Sequence, residues 1–206
     1  MVAAAIAGAA LGSRVLYWLE DPQQTLAHWR EVSYLLGGKT VVGGLIGGWI
    51  AVEIAKRWAG ISSRTGDLFA VPLAVAIAIG RIGCHLAGLE DQTYGTPTSM
   101  PWGVDLGDGV SRHPAVLYES VALIALALVL ARAQRRPRAA GDLFKGFMAG
   151  YMLIRVVVDA FKAGHPLVLG LTTIQIAALA VIAYYAHDVA RWIRSLLLPH
   201  SIPPRP

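Results

Sequence analysis

The sequence predicts an all-α, polytopic membrane helical bundle of about six transmembrane helices with both termini in the cytoplasm. Three observations lead there. First, 55% of the 206 residues are hydrophobic and only 15% are charged, against roughly 25% charged in a soluble domain, and mean hydropathy is +0.54. Second, the apolar residues fall into runs long enough to cross a bilayer, which takes about 20 residues at 1.5 Å each. Third, the basic residues lie mostly between those runs and favour one side.

The first run, Val2 to Leu19, carries Arg14 and Tyr17 near its end and is stopped by Glu20-Asp21-Pro22. It lacks the basic start of a cleaved signal peptide. Gln23 to Lys39 reads as a polar connection with a short interfacial helix around Trp29 and Tyr34. The second span, Val41 to about Ala55, opens on Gly43-Gly44 and Gly47-Gly48, small residues that let helices approach closely. The third runs from Gly66 to Gly88. Leu89 to Arg112 is rich in glycine and proline and is expected to form an outward cap, with Trp102 as interfacial anchor. The fourth span is His113 to Ala131, the fifth Phe144 to Ala163 and the sixth Leu167 to Ala186. Residues 1–192 are expected to be a single transmembrane domain, followed by a basic, proline-rich tail at 193–206.

Loop charge sets the orientation. Lys56, Arg57, Arg64, Arg132, Arg135, Arg136, Arg138, Lys145, Arg191, Arg194 and Arg205 fall on one side. Arg30, Lys39, Arg112 and Lys162 fall on the other, so the first side is predicted to be cytoplasmic. The net charge of +5 is accounted for by these loops and calls for no nucleic-acid partner. A single cysteine, Cys84, excludes an internal disulfide, and its apolar setting argues against a metal site. No cofactor is expected.

A charged side chain in hydrocarbon costs about 2.5–3.5 kcal/mol on insertion scales, so such residues mark function by default. In Gly80-Arg81-Ile82-Gly83-Cys84-His85-Leu86-Ala87-Gly88, helical spacing puts Arg81, Cys84, His85 and Gly88 on one face. Tyr151, Arg155, Asp159 and Lys162 share a face of the fifth span. Arg112-His113-Pro114, followed by Tyr118 and Glu119, opens the fourth helix at the outer surface, where free N–H groups suit an anion. Counted along their helices, Arg14, Arg81, Glu119, Arg155 and Asp159 reach similar depth in the outer half of the bilayer. They are expected, with Tyr151, to line one polar cavity holding an anionic headgroup, its phosphate gripped by arginine. Structural readings compete: Arg81 snorkelling to the surface, Arg155 and Asp159 as an intrahelical pair, and His113 resting in the interface.

The ordered set of motifs resembles the prolipoprotein diacylglyceryl transferase family, bacterial membrane enzymes that begin lipoprotein maturation. Gly12-Ser13-Arg14-Val15-Leu16-Tyr17 resembles its Gly-Ala-Arg-x-x-Tyr segment. Gly37-Gly38-Lys39-Thr40-Val41-Val42-Gly43-Gly44-Leu45-Ile46-Gly47 resembles Gly-Gly-x-x-x-His-Gly-Gly-Leu-Ile-Gly. Gly80-Arg81-Ile82-Gly83 is similar to the start of the signature Gly-Arg-x-Gly-Asn-Phe-x-Asn-Gly-Glu, and Pro101-Trp102-Gly103 follows. Arg112-His113-Pro114 with Leu117-Tyr118-Glu119 resembles Arg-His-Pro-x-Gln-Leu-Tyr-Glu. Tyr151, Arg155 and Asp159 fall on a Tyr-x-x-x-Arg-x-x-x-Glu helix, and Leu171-Thr172-Thr173-Ile174-Gln175 is similar to Leu-Ser-Met-Gly-Gln.

The resemblance implies a multi-pass enzyme of the bacterial cytoplasmic (inner) membrane with its site facing the outer leaflet. It also implies transfer of diacylglyceryl from phosphatidylglycerol to the cysteine thiol of a lipoprotein precursor, or here to another acceptor. Arg81 and Arg155 would stabilise the departing phosphate. The base that takes the thiol proton stays open among His85, Glu90, Asp91 and His113, because the family's histidine is Val42 in this chain. Candidate substrate-binding residues are Arg14, Tyr17, Cys84 and Gly95 on the first part of the chain. His113, Tyr118, Glu119, Tyr151, Asp159 and Lys162 join them from the second. Other departures are Cys84 and Ala87 at the signature asparagines and Val116 at the glutamine. The family's first span and its periplasmic insertions are expected to have no counterpart here. A non-catalytic protein that holds an anionic phospholipid is the alternative, favoured by Val42 and Ala87.

Overall fold

The computed structural model describes residues 1–136, 138–162, 167 and 169–197, the last stretch without the side chains of residues 193 and 195–197. Among the described residues eight helices follow in order: α1 (Val2–Glu20), α2 (Pro22–Ala27), α3 (Val32–Gly37), α4 (Val41–Trp58), α5 (Asp67–Ala87), α6 (Ala115–Ala133), α7 (Asp142–Asp159) and α8 (Thr173–Leu197). A short 3-10 turn, Gly88–Asp91, extends α5. The helices α1, α5, α6 and α8 are long and apolar enough to cross a membrane. α4 and α7 have 18 residues each, but one carries Glu53, Lys56 and Arg57 and the other Asp142, Lys145, Arg155 and Asp159.

Several boundaries differ from the sequence expectation, each for a local reason. The expected interfacial helix is two short ones, α2 and α3, with Trp29 between them. Asp21 caps α2 by accepting from the Gln24 N–H at 2.9 Å, and Pro22 fills its first turn. The last helix starts at Thr173 rather than Leu167, because Thr172 and Gln175 form a capping box. The Gln175 N–H donates to Thr172 Oγ1 at 3.2 Å, and the Thr172 N–H donates to Gln175 Oε1 at 3.0 Å. α8 then runs to Leu197, past the expected start of the tail; residues 198–206 of that tail lie outside the described residues. The glycine- and proline-rich loop hides a two-stranded antiparallel hairpin, β1 (Val104–Asp105) with β2 (Ser111–Arg112).

Two packing modes build the bundle. α1 and α4 meet backbone to backbone through Gly8, Gly12, Gly43 and Gly47. A methyl group on Gly12 or on Gly47 would lie 2.8 Å from the other residue's Cα. Substituting Gly47→Ala is therefore expected to destabilise the protein by about 1–3 kcal/mol, the usual range for overpacking. Gly44→Ala, whose added carbon would sit 3.6 Å from the Ala9 carbonyl, should be neutral or mildly stabilising, since alanine is the better helix former. Thermal unfolding of both variants in detergent checks the contrast.

α5 to α8 instead share a side-chain core that includes Leu123, Leu130, Leu143, Phe147, Met148 and Met152. α5 presents Ala70, Ala74 and Ala78 to it, a small-residue ridge at i, i+4 and i+8. Ser120 Oγ on α6 donates to the Ala78 carbonyl at 3.1 Å. The next inward position along α5 is Arg81, which is 8% exposed. The helices alternate in direction, so this end of the bundle gathers the C-termini of α1, α5 and α7 with the N-termini of α4, α6 and α8. Thr173 Oγ1 donates to the Leu19 carbonyl at 2.7 Å and ties α8 to α1 there.

Candidate functional site

Glu119 stands one turn into α6 with no solvent exposure, and three helices meet on its carboxylate. Arg155 Nη1 of α7 donates to Oε2 at 2.8 Å, and Lys162 Nζ approaches the same oxygen at 3.4 Å. Tyr151 OH donates to Oε1 at 3.0 Å. Arg81 Nε of α5 lies 3.0 Å from Oε1, an ion-pair contact whose N–H is not aligned for a hydrogen bond. Arg155 also reaches along its own helix, Nη2 donating to Asp159 Oδ1 at 3.0 Å. Thr172 donates its hydroxyl to Asp159 Oδ2, so the capping residue of α8 closes the chain of bonds.

Burying one ion pair is roughly neutral to stability, whereas stripping a buried charge of its partner is strongly unfavourable. The arrangement follows from that. Each carboxylate oxygen of Glu119 and Asp159 has a donor or cation, and three cations, Arg81, Arg155 and Lys162, face these two acids. The far end of Arg81 is turned away from Glu119: its Nη1 faces Cys84 Sγ at 3.9 Å, a weak acceptor.

Four residues expected from the sequence to share a cavity, Arg81, Glu119, Tyr151 and Arg155, thus share a carboxylate, with Asp159 and Lys162 beside them. The cluster is filled by its own ion pairs. A cavity of about 930 Å³ opens instead at the opposite end of the bundle, lined by Trp49, Lys56, Arg64, Phe144, Lys145 and Tyr185 among others. Arg14 bonds to the Ala10 carbonyl at 3.1 Å, and its Nε is buried with no partner. Tyr17 turns to the α3 side, packing against Gly38 and the Tyr34 ring at 5.7 Å.

The remaining candidates belong to the cap. His85 does not meet Glu119; it lines a crevice of about 10 Å³ with Tyr94, Arg112, His113 and Val116. His113 Nδ1 lies 3.3 Å from Tyr118 OH, which accepts from Trp102 Nε1 at 2.8 Å. Both rings pack edge-on against Phe161. Gly95 is where the cap crosses α7's end: its backbone bridges to Lys162, and a side chain there would strike the His113 carbonyl. The Thr96 N–H donates to the Phe161 carbonyl at 2.8 Å beside it. Glu90 is exposed on the 3-10 turn, away from the cluster's ion pairs. In the hairpin, Arg112 donates to both oxygens of Asp108 at 2.6 and 2.7 Å and holds that carboxyl below the usual range.

The sequence reading missed Glu20, which it took for a helix stop. Its Oε1 is buried with no partner, and the residue lies within electrostatic reach of Asp159, Arg155 and Lys162. It also missed Thr172 as a partner of Asp159, although the Thr-x-x-Gln spacing of a capping box was there to be seen.

A profile of prolipoprotein diacylglyceryl transferase matches residues 1–190. The chain belongs to the prolipoprotein diacylglyceryl transferase family. It is similar to the phosphatidylglycerol–prolipoprotein diacylglyceryl transferase of Geobacter sulfurreducens, 35% identical over 150 residues, which are 71% of this chain and 54% of the relative. The corresponding protein of Bordetella bronchiseptica is 34% identical over 161 residues, 75% of this chain and 60% of the relative. That of Clostridium tetani is 31% identical over 175 residues, 81% and 68%. The chain thus spans roughly half to two thirds of the length of these curated relatives. The segments that resemble the prolipoprotein diacylglyceryl transferase motifs all reach the same end of the bundle. The Arg112 to Glu119 segment divides there, Glu119 turning into the ion cluster while His113 and Tyr118 hold the cap.

Proposed function

We propose that this protein is a phospholipid-dependent transferase of the bacterial inner membrane that moves diacylglyceryl from phosphatidylglycerol to the cysteine thiol of a lipoprotein precursor. The observation that carries the reading is the buried cluster on Glu119, which gathers Arg81, Arg155 and Lys162 at one end of the bundle, in a chain of this family. In it, Arg81 and Arg155 bind the phosphate and stabilise the charge that develops as glycerol phosphate leaves. Glu119 and Tyr151 position the two guanidinium groups, and Asp159 and Lys162 complete the charge balance. α4 and α7 cross the membrane with the four more apolar helices, giving six spans with both termini in the cytoplasm. The arginine- and lysine-rich ends of α4, α6 and α8 then face the cytoplasm and the ion cluster faces the outer leaflet.

The experiment is an assay of purified protein in phosphatidylglycerol vesicles, the lipid labelled in its unacylated glycerol. Release of labelled glycerol phosphate that requires an added cysteine peptide, with diacylglyceryl appearing on the peptide, is the expected result. Lipid binding without release would replace the proposal by a non-catalytic phospholipid-binding role. No binding at all would refute both.

A further inference from the structure

A thiol attacking at carbon must first give up its proton, and the ion cluster offers no acceptor for it. Both oxygens of Glu119 and both of Asp159 are taken by cations or hydroxyl donors. Asp21 caps α2, Asp91 accepts from Thr93, and Glu90 and Glu31 are exposed. His85 and His113 line the crevice under the cap, and His28 bonds to the Gln24 carbonyl at 3.0 Å. Val42 is apolar and 1% exposed.

Glu20 differs from all of these. It ends α1, and the bond from Thr173 to the Leu19 carbonyl fixes its turn against the start of α8. Its Oε1 is buried and unpartnered, a state that is unfavourable for a polar group unless something completes it. Thr172, the neighbour of Thr173, bonds to Asp159, so the turn that carries Glu20 borders the ion cluster. The last two turns of α1 bury two further unpartnered donors, Arg14 Nε and Trp18 Nε1. A polar reactant entering between α1 and the cluster would supply the partner that Glu20 Oε1 lacks.

We infer that Glu20 is the proton acceptor of the transfer reaction, placed at the α1 lip of the ion cluster; this rests on the transferase reading above. The acceptor's S–H proton moves to Glu20 Oε1, and the sulfur attacks the glyceryl carbon that carries the phosphate ester. The new S–C bond forms as the C–O bond breaks. The bonding pair leaves with the phosphate oxygen as glycerol phosphate, held by Arg81 and Arg155.

The test compares wild type, Glu20→Gln and Glu20→Asp in the vesicle assay, using a cysteine peptide and the same peptide with selenocysteine, whose selenol is already ionised at neutral pH. Glu20→Gln is expected to lower kcat toward the thiol by about 10²–10⁴-fold, the usual share of a general base. KM for the lipid should stay within about twofold, and Glu20→Asp should keep part of the rate. The selenol peptide should restore Glu20→Gln to near the wild-type rate, which a merely structural role would not allow. Wild-type turnover by Glu20→Gln, or a loss that the selenol does not rescue, overturns the assignment of Glu20 alone. Absence of transfer by the wild-type protein overturns the transferase reading, and this inference with it.

Discussion

Arg155→Ala is expected to lower turnover by about 10³-fold or more and to remove most anionic-lipid binding. Loss of one preorganised donor to a developing anion costs about 10²–10³-fold by itself. Arg155 does more, because its two terminal nitrogens hold Glu119 and Asp159 at 2.8 and 3.0 Å at once. Without it, two buried carboxylates lose a shared cation, and Arg81 loses the alignment of its own partner. Arg155→Lys should recover only a small part, since one ammonium cannot span both acids as a planar guanidinium does. Glycerol phosphate release and vesicle binding, measured beside a melting curve, separate lost chemistry from lost fold. Near wild-type binding by Arg155→Ala would remove this residue from the phosphate site.

Glu119→Ala is expected to be the most destabilising single change, by about 3–5 kcal/mol, the range for breaking a buried ion pair. Arg81, Arg155 and Lys162 would face one another with Asp159 as the acid still paired to them. Glu119→Gln keeps the shape and some hydrogen bonds but not the charge, so it should fall between alanine and wild type. Chemical unfolding in detergent gives the order. An alanine variant within about 1 kcal/mol of wild type would mean that solvent, rather than Glu119, compensates the three cations.

The parts of this site that could be read from sequence are those governed by local spacing. Arg81 stands out as a charge in an apolar run, and Arg155 with Asp159 as an i, i+4 pair on one helix. The convergence of both arginines on Glu119 depends on how three helices pack, and spacing within each helix does not contain it. His85 shows the limit of such reasoning. It shares a helix face with Arg81, yet one further turn carries it past the cluster into the crevice with His113. Glu20 was obscured by its neighbours, because Asp21-Pro22 is a sufficient reason for a helix to stop. The hairpin around Asp105 was hidden by glycines that read equally well as irregular loop: the Asp105 carboxylate gathers the N–H groups of Gly107, Asp108 and Gly109 at 2.9 to 3.1 Å. The α8 start moved because side-chain capping, rather than hydropathy, decides where a helix begins.

The glycine seam between α1 and α4 also determines how the molecule can deform. Helices that meet through long side chains can slide or swivel, because rotamers absorb the displacement. Gly8, Gly12, Gly43 and Gly47 have no rotamers, and their backbones are already in contact. The two helices therefore form one closely joined plank. Met1, Ala5 and Trp49 at one end of the plank border the 930 Å³ cavity. Glu20 and Thr40 lie at the other, where Thr173 ties α8 to α1. A side chain added anywhere along this seam must therefore push the two backbones apart, because nothing at the contact can give way.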